Sequence, residues 1–229
     1  MDVSIRLARE EDAKELLNIY AYYVENTAVS FEQEVPNLEE FTDRVKETLH
    51  NYPYLVAIVD DKIVGYIYAG KFRHRVSYRW SASTSIYIDK QFHRMGLGKL
   101  LYAELEKILV EQNIMNVYAV VADPLEEDSY LTHNSEHFHD AIGYKVVARY
   151  HKCASKFGKW YNTIEMEKVI GEHKEPPREF VPFEDLKKDF SRYSRMNDLN
   201  ITVKPKEFED VREIQGKYSV YPIIKTPQY

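Results

Sequence analysis

Between residues 83 and 123 the spacing of apolar residues changes from that of a strand to that of a helix and then back to that of a strand. This order limits the folds that the chain can adopt. "STSIYID" (83–89) is predicted as a strand, and a turn with two glycines, "HRMGLG" (93–98), follows it. "MNVYAVVAD" (115–123) is predicted as the next strand. The helix between them has one apolar face, formed by Leu101, Leu105, Ile108 and Leu109. Two strands joined through a helix require a crossover connection, which a sheet built only from hairpins lacks.

Apolar patterns elsewhere in the first 170 residues complete a mixed α/β arrangement. Two apolar runs around Asp60-Asp61 predict a hairpin over 54–70. The other predicted elements are a strand at 3–8, helices at 11–26, 38–50 and roughly 132–142, and strands within 144–153 and 160–169. The order β-α-α-β-β-β-α-β-α-β-β combines hairpin and crossover connections, so we predict one α/β domain over residues 1–170.

The chain changes character at Gly171. "GEHKEPPREFVPF" (171–183) contains three prolines, and few apolar runs follow it. We predict that residues 171–229 form an extension that lies on the domain or on a partner, with one short helix near 184–194.

Charge and cysteine content exclude several classes of protein. The net charge of −6 argues against a general affinity for nucleic acid, because such binding rests on neutralising phosphates. No apolar run approaches the roughly 20 residues of a membrane-spanning helix, and the N-terminus lacks the apolar region of a signal peptide. The single cysteine, Cys153, excludes an internal disulfide. We therefore expect a cytoplasmic protein without nucleic-acid or membrane partners. We expect the side chain of Cys153 to be buried and to serve only in packing.

The turn "HRMGLG" (93–98) carries the clearest chemical signal. Gly96 and Gly98 let backbone amides approach a ligand without interference from a Cβ atom. The following helix offers its positive N-terminus, so the combination suits a pyrophosphate. A tight turn into a helix, with no ligand, is an equally good interpretation of this motif alone.

Six segments, taken in order, resemble the motifs of the phosphinothricin acetyltransferases, a family within the GNAT superfamily. They are "AVSFEQE" (28–34), "GYIYAG" (65–70), "YRWSASTSIYID" (78–89), "RMGLGKLLY" (94–102), "FHDAIGY" (138–144) and "KFGKWYN" (156–162). The resemblance covers about residues 3–170. It implies a mixed, mostly antiparallel sheet with splayed middle strands flanked by helices. It also implies a homodimer that transfers acetyl from acetyl-CoA to a small amino-acid-like amine, of the phosphinothricin or methionine sulfone type, by direct attack on the thioester.

The resemblance assigns acetyl-CoA to the opening between the splayed strands. The backbone of Ile86, Tyr87 and Ile88 is expected to pair with the pantetheine arm, and one amide to stabilise the oxyanion of the intermediate. Asn134 is expected to contact the cofactor, and Asn134 or Ser135 to cap its helix. The residues expected around the pyrophosphate are His93, Arg94, Met95, Gly96, Leu97, Gly98 and Lys99.

The same resemblance assigns the catalytic groups. "FHDAIGY" places His139 near the thioester sulfur, where the departing thiolate needs a proton. Ser83 stands where the family has a glutamate, the proposed general base. Because a serine hydroxyl cannot accept the amine's proton at neutral pH, water held by Ser83 would relay it to Glu34, or His139 would take it. Otherwise the amine arrives deprotonated, or efficient catalysis has been lost.

Basic residues recur at odd positions in "KFRHRVSYR" (71–79), so an extended segment would present them on one side. One interpretation is a solvated strand edge. The other is a site that binds the substrate's carboxylate or phosphinate. By family resemblance Arg73 and Arg75 bind the substrate, and Phe31 and Tyr78 form walls of its pocket.

The histidines of "HNSEHFHDAIGY" (133–144) raise the possibility of a metal site. On a helix, His139 lies about 200° from His137 and about 120° from His133, so the three do not converge. His133, His137 and Asp140 share a face. We favour a solvated polar face there and expect no metal.

Two other functions remain open. Ser83 and the long extension also suit an acetyl-CoA-binding protein with weak or lost catalysis and an interaction role. A transferase acting on a protein or peptide terminus would need an open groove instead of an arginine-lined pocket.

Overall fold

Seven strands form one sheet in the computed structural model, which describes residues 3–188. The strands are β1 (Val3–Leu7), β2 (Tyr54–Val59), β3 (Lys62–Lys71), β4 (Ser81–Ile88), β5 (Asn116–Asp123), β6 (Lys145–Lys156) and β7 (Lys159–Val169). They lie in the order β1-β2-β3-β4-β5-β7-β6. Neighbouring strands are antiparallel except β4 and β5, which run parallel. The predicted mixed, mostly antiparallel sheet is confirmed.

Helices flank both faces of this sheet. They are α1 (Ala13–Asn26), α2 (Leu38–Asn51), α3 (Leu97–Glu111), α4 (Asn134–Ala141) and, after the last strand, α5 (Phe183–Lys188). Alternate residues of β2 point to opposite faces, as the strand period requires. Tyr54 and Val56 pack with α1 and α2, whereas Leu55 and Ala57 pack on the side of α3. Among the described residues, no helix is both long and apolar enough to span a bilayer.

The connections follow the predicted order. Asp60 and Asp61 form the turn of the β2–β3 hairpin with φ of 46° and 64°, the left-handed conformation that two-residue hairpin turns use. The crossover from β4 to β5 runs through α3. Its predicted apolar face is buried against the sheet at Leu101, Leu105, Ile108 and Leu109.

Residues 171–188 lie on the domain, against the ends of α2 and α3. Phe183 is 1% exposed and, with Leu186, packs into the core that α3 forms with the sheet. The side-chain amide of Gln112 donates to the carbonyls of Asn51 and Val181, at 2.8 and 3.0 Å. The hydrophobic core therefore continues past residue 170. The predicted short helix begins at Phe183, and residues 189–194 of that prediction lie outside the described residues.

Candidate functional site

The middle of the sheet opens between β4 and β5. Beyond Ser83, β4 continues to Ile88 while its other edge stays paired with β3. β5 continues to Asp123 while paired with β7. Within the described residues the two strands pair at only three positions, Ser81↔Asn116, Ala82↔Val117 and Ser83↔Tyr118. The backbone edge of 84–88 therefore faces a wedge-shaped opening that is closed at Ser83.

The turn at the wide end of this opening lies at the N-terminus of α3. Gly96 is the N-cap residue, with φ of 78°, a conformation that glycine adopts at little cost. Arg94 also has a left-handed φ, 62°. The first amides of α3 have no acceptor within the helix and lie at the positive end of its dipole. An anion such as a pyrophosphate suits this position.

Gly98 has a packing role in addition to the role predicted for it. It is buried, and a Cβ atom on it would lie 2.8 Å from Cζ and 2.9 Å from Cε2 of Phe138. No pair of carbon atoms tolerates such an approach, so the glycine is required because α3 and α4 pack closely here.

The side chains of the turn divide into two groups. His93 Nε2 lies 2.9 Å from the Tyr23 hydroxyl and 2.9 Å from the Ile88 carbonyl, so the ring fixes the end of β4. Leu97 is buried in the core, and Met95 packs against it. Arg94 is exposed and Lys99 is half-buried. Only these last two offer mobile positive charge to a phosphate.

A buried network of hydroxyls lies where the two strands separate. Thr84 Oγ1 donates to the carbonyl of Tyr118 at 3.2 Å and lies 3.1 Å from the Tyr102 hydroxyl. The Tyr102 hydroxyl lies 2.9 Å from Nε2 of His139. Tyr144 completes the network, with its hydroxyl 3.5 Å from Thr84 Oγ1. Burial raises the pKa of Tyr102 and of Tyr144 far above the ordinary value, so both are neutral donors.

His139 is inside this network and is 4% exposed. Its Nδ1 lies 2.7 Å from the Ser135 carbonyl, which can only accept, so Nδ1 carries the proton. Burial lowers the pKa of the ring, which leaves Nε2 as an acceptor for the Tyr102 hydroxyl. Both nitrogens therefore have protein partners. This geometry does not fit the predicted direct donation of a proton by His139, because the neutral ring has no proton facing the opening.

Ser83 marks the closed end of the opening, on the face that α1 and α2 cover. Its cross-strand neighbours are Gly70 on β3 and Tyr118 on β5. A Cβ atom on Gly70 would lie 3.6 Å from Ser83 Oγ. The ring of Tyr118 stacks on Phe72 with centroids 3.9 Å apart. The hydroxyl thus lies in a shallow recess between a glycine and an aromatic pair.

Of the two glutamates on segment 27–37, Glu32 lines a cavity, and the predicted Glu34 is not part of that lining. Glu34 is exposed. Glu32 is half-buried and accepts a hydrogen bond from Nη1 of Arg44 at 2.6 Å. It lines a cavity of ≈ 270 Å³ together with Tyr20, Tyr54, Tyr66, Tyr68 and Tyr87. The segment 27–37 has no regular secondary structure over most of its length, so sequence periodicity could not decide which glutamate points inward.

This tyrosine-lined cavity lies on the same face of β4 as Ser83. Ser83, Ser85 and Tyr87 alternate along the strand and so share one face. Burial raises the pKa of Tyr20 to about 12, with Ser30 hydrogen-bonded to it at 2.7 Å. Burial also raises the pKa of Tyr68. The cavity lining therefore combines tyrosine hydroxyls with the ion pair of Glu32 and Arg44 and with Glu47.

The β6–β7 hairpin is hydrogen-bonded to the segment that carries Glu32. Nε2 of Gln33 donates to the carbonyl of Ser155 at 3.1 Å. Nζ of Lys156 donates to the carbonyl of Ser30 at 2.7 Å, and its side chain is buried. Burial lowers the pKa of Lys156, and the nearby Glu32 raises it. Sequence analysis did not identify Lys156, because burial of a hairpin lysine leaves no local pattern.

The basic segment 71–79 is not an extended strand. It bends after Lys71, and a 3-10 turn spans Val76–Tyr78. The prediction of a one-sided basic strand is therefore wrong, because this turn breaks the alternation. Arg73 lies over the ring of Phe72, 4.6 Å from its centroid, and Nη2 donates to Glu165 at 3.4 Å. Arg75 and Tyr78 are exposed on the turn, and Arg79 pairs with Glu179 at 2.7 Å.

Three further predicted residues have clear positions. Phe31 packs on Tyr161 with centroids 6.0 Å apart, beneath the β6–β7 hairpin. Asn134 is the first residue of α4 and is exposed; His133 is the N-cap residue, so the predicted cap at Asn134 or Ser135 is wrong. Cys153 is exposed, which contradicts its prediction as buried filler, because the irregular β6 turns it outward.

The histidines of α4 separate as predicted. His137 and Asp140 are exposed, and Asp140 pairs with Lys145 at 2.7 Å. His139 is buried on the opposite side. His133 instead approaches Asp123 and Glu136, a group that the helical-face argument did not include because Asp123 is on β5.

Three residues of the buried network were not predicted: Thr84, Tyr102 and Tyr144. Thr84 was detectable in principle, since it is the one polar residue between Ala82 and Ile86 on the apolar face of β4. The two tyrosines lie among core residues of α3 and the α4–β6 connection. Their hydroxyl partners are 18 and 60 residues away along the chain, so no local pattern identifies them.

Comparison with known proteins gives consistent matches. A family model described as an acetyltransferase (GNAT) domain matches residues 5–164. The phosphinothricin N-acetyltransferase of Streptomyces viridochromogenes is 30% identical over 160 residues, which span 70% of this chain and 84% of that protein. The L-methionine sulfoximine/L-methionine sulfone acetyltransferase of Salmonella typhimurium is 25% identical over 175 residues, spanning 76% of this chain and 98% of that protein.

A solved structure matches in the same way. The phosphinothricin acetyltransferase of Sinorhizobium meliloti, in complex with AcCoA, superposes with a TM-score of 0.71 at 27% identity. The match covers 81% of this chain and 97% of that one. The residues after the matched region of the family model include α5 and its buried Phe183.

Proposed function

The chain belongs to the GNAT acetyltransferase family, and we propose that it acetylates the amino group of a small amino-acid-like substrate. Members of this family are acetyl-CoA-dependent N-acetyltransferases. The observation that carries the proposal is the opening between β4 and β5, with the Gly96 turn and the N-terminus of α3 at its wide end. The tyrosine-lined cavity lies on the other side of β4 from α3, where an acceptor can approach the same strand.

The residues around the opening fit acetyl-CoA, which supplies its acetyl group as an activated thioester. Arg94, Lys99 and the first amides of α3 would hold the phosphates. On the β4 edge the backbone of Ile86 would pair with an amide of the pantetheine arm, and its N–H would stabilise the oxyanion, whereas the carbonyl of Ile88 is already held by Tyr23 and His93. Met95, Leu97 and Gly98 would contribute through packing and backbone, since they lie against or within the core. His93 would keep the end of β4 in place.

On the acceptor side, Glu32 is the group that would take the proton of the amine. An ordinary aliphatic amine is protonated near neutral pH and cannot attack until it loses a proton. Ser83 cannot accept that proton, but its hydroxyl can hold the water through which the proton leaves. Glu32 is the inward-facing carboxylate on the same side of the sheet, and Arg44 orients it. We assign Glu34 no direct role, because its side chain is exposed.

The network of Thr84, Tyr102 and His139 has a positioning role. The hydroxyl of Thr84 donates to the Tyr118 carbonyl at the point where the strands separate, and so helps to fix the width of the opening. Tyr102 in turn lies between Thr84 and His139. His139 acts through Tyr102 and not by touching a substrate.

An amino-acid-like acceptor fits the opposite charges of Glu32, which lines the cavity, and of Arg73 on the segment after β3. Glu32 attracts the ammonium group before transfer. Arg73 uses one nitrogen on Glu165 and, half exposed, keeps other N–H groups for a carboxylate or phosphinate. Arg75 and Tyr78 on the same segment would join it if the segment closes on the substrate. Phe31 would act indirectly, because it packs with Tyr161 in a separate small cluster under the segment that carries Glu32. Phosphinothricin and methionine sulfone are the acceptors that the relatives' names suggest first.

The test is release of free CoA by the purified full chain with acetyl-CoA. The acceptors are phosphinothricin, methionine sulfone, methionine sulfoximine, a set of L-amino acids, and short peptides. Rates are followed from about pH 6 to pH 9.5, because an amine that loses its proton to solvent gives a rate that rises towards its own pKa. The wild-type chain and the Ser83→Glu variant are compared side by side.

Turnover with free amino-acid analogues, but not with peptides, would support the proposal. Preference for peptides would overturn the substrate class and favour a transferase that acts on protein termini. Acetyl-CoA binding without turnover, with activity gained on Ser83→Glu, would instead identify an acetyl-CoA-binding protein that has lost catalysis.

We further propose that the protein is a cytoplasmic homodimer that needs neither nucleic acid nor membrane. The face of the C-terminal strands opposite α3 exposes Val120, Tyr150 and Val169, and Val120 is 65% exposed. These exposed apolar side chains share the face with Glu165 and Glu167, a mixed surface that suits contact with a second copy. Sedimentation equilibrium of wild type and Val120→Lys tests this: a concentration-independent monomer mass for wild type would overturn it.

A further inference from the structure

We propose that Asp123, His133 and Glu136 form a binding site for Zn²⁺ or a related divalent transition metal. One ligand atom of each residue lies within 4.8 Å of the ligand atoms of the other two. Asp123 is the last residue of β5, His133 caps α4, and Glu136 lies in the first turn of α4. The site is on the α4 side of the sheet and shares no residue with the groups assigned to transfer.

Asp123 is the residue that points to a ligand. Its side chain is 1% exposed. Oδ2 accepts hydrogen bonds from Nη1 of Arg149 and, at 3.1 Å, from Nδ2 of Asn162. Oδ1 is buried and has no hydrogen-bond partner among the described residues. A buried acceptor without a partner costs free energy, so a native structure is expected to supply one.

His133 presents a second unsatisfied atom to the same point. Its Nδ1 is buried without a hydrogen-bond partner in the described part of the chain. It lies 3.5 Å from Oδ1 of Asp123 and 3.4 Å from Oε2 of Glu136. The backbone N–H of His133 donates to Glu127 at 2.7 Å, which fixes the residue at the start of α4. The three ligand atoms therefore lie close together, but none of them is hydrogen-bonded to another.

The donor set selects the class of ion. One imidazole nitrogen with two carboxylate oxygens suits Zn²⁺ and related metals, whereas Ca²⁺ and Mg²⁺ prefer oxygen alone. Two carboxylates against the single guanidinium of Arg149 leave negative charge in excess. The side chains of His133 and Glu136 are 33% and 26% exposed, so an ion can enter from solvent and keep solvent as its remaining ligand. The bonds from Arg149 and Asn162 orient Asp123 for coordination through Oδ1.

The experiment is a titration of tag-free, metal-stripped full chain with Zn²⁺ by calorimetry, and with Co²⁺ by its visible absorption. The variants are His133→Gln and Glu136→Gln, and the matched control is His137→Gln on the exposed side of the same helix. Glu136 is partly exposed and its substitution does not touch the core, so this variant is expected to fold. Loss of a ligand is expected to weaken binding by about tenfold or more, since even outer contacts cost this much.

The proposal predicts saturable uptake of one ion per chain that weakens in both variants and not in the control. Absence of saturable uptake would overturn it, and the arrangement would then consist only of the contacts of His133 with Asp123 and Glu136. Equal loss of Zn²⁺ affinity in His137→Gln would also overturn it, because the ion would then be bound by His133 and His137 at the surface of α4. The titrations contain no acetyl-CoA, so their outcome is independent of transferase activity.

Discussion

Nε2 of His139 lies 2.9 Å from the hydroxyl of Tyr102, inside the core and not in the opening between β4 and β5. This contact connects α4 to α3 and, through Thr84, to the point where the two strands separate. A histidine that the sequence motif assigns to proton transfer is therefore a buried, neutral acceptor. Substitution of His139 is therefore expected to change the stability of the fold as well as the rate of acetyl transfer.

The first prediction concerns the pH dependence of stability. Burial lowers the pKa of His139 below its ordinary value of 6.5. Below pH 6.5 the unfolded chain therefore binds a proton that the folded chain excludes. The stability contributed by this group is complete above that pH and is lost as the pH falls towards the folded-state pKa. As the pH falls below 6.5, the free energy of unfolding measured with urea should decrease less for His139→Gln than for wild type. His137→Gln, at an exposed site, is the control, and parallel pH profiles for all three would contradict the assignment.

The second prediction compares the two glutamates of segment 27–37. Glu32→Gln removes the inward-facing carboxylate while keeping a partner for Arg44, so folding should be preserved. Loss of a general base typically lowers the rate by roughly 10²- to 10⁴-fold. We expect kcat/KM to fall on this scale for Glu32→Gln and far less for Glu34→Gln. A larger loss for Glu34→Gln would return the role to the residue that the sequence motif suggests.

The third prediction concerns the contact between α3 and α4. Gly98→Ala places a methyl group within 3 Å of the Phe138 ring, so one helix must shift. Overpacking of this kind costs about 1–3 kcal/mol. The free energy of unfolding should fall by that amount, and adding Phe138→Leu should restore part of it. Gly158→Ala is the comparison, because no atom lies within 4 Å of its added Cβ and only its φ of 71° opposes the change. Failure of Phe138→Leu to rescue would show that the clash is not the cause.

The fourth prediction concerns the C-terminal extension. A chain ending after residue 170 loses Phe183 and Leu186 from the core, whereas one ending after residue 188 retains them. Truncation of a buried phenylalanine to alanine costs about 3–5 kcal/mol. We expect Phe183→Ala in the full chain to lose this much, and the chain ending at 170 to unfold at a clearly lower temperature. Removal of 189–229 should leave acetyl-CoA affinity unchanged. Equal melting temperatures for full chain and the chain ending at 170 would contradict a core role for α5.

The order of the elements and the glycine turn were predictable from sequence. Alternating and helical periods are local properties, and each described strand and helix up to residue 169 lies within a few residues of its predicted position. The crossover through α3 follows from the same pattern. Gly96 likewise has the positive φ that a turn at this position requires.

Tertiary structure alone decided which polar groups face one another. Glu32 and Glu34 differ only in direction on an irregular segment, and the contact with Arg44 selects between them. His139 became a buried acceptor because α3 and β4 bring Tyr102 and Thr84 to it from distant parts of the chain. Asp123 meets His133 only once β5 and α4 pack together. Local periodicity fixes where a residue lies along an element, whereas its partners, burial and pKa depend on contacts between elements, which no short stretch of sequence contains.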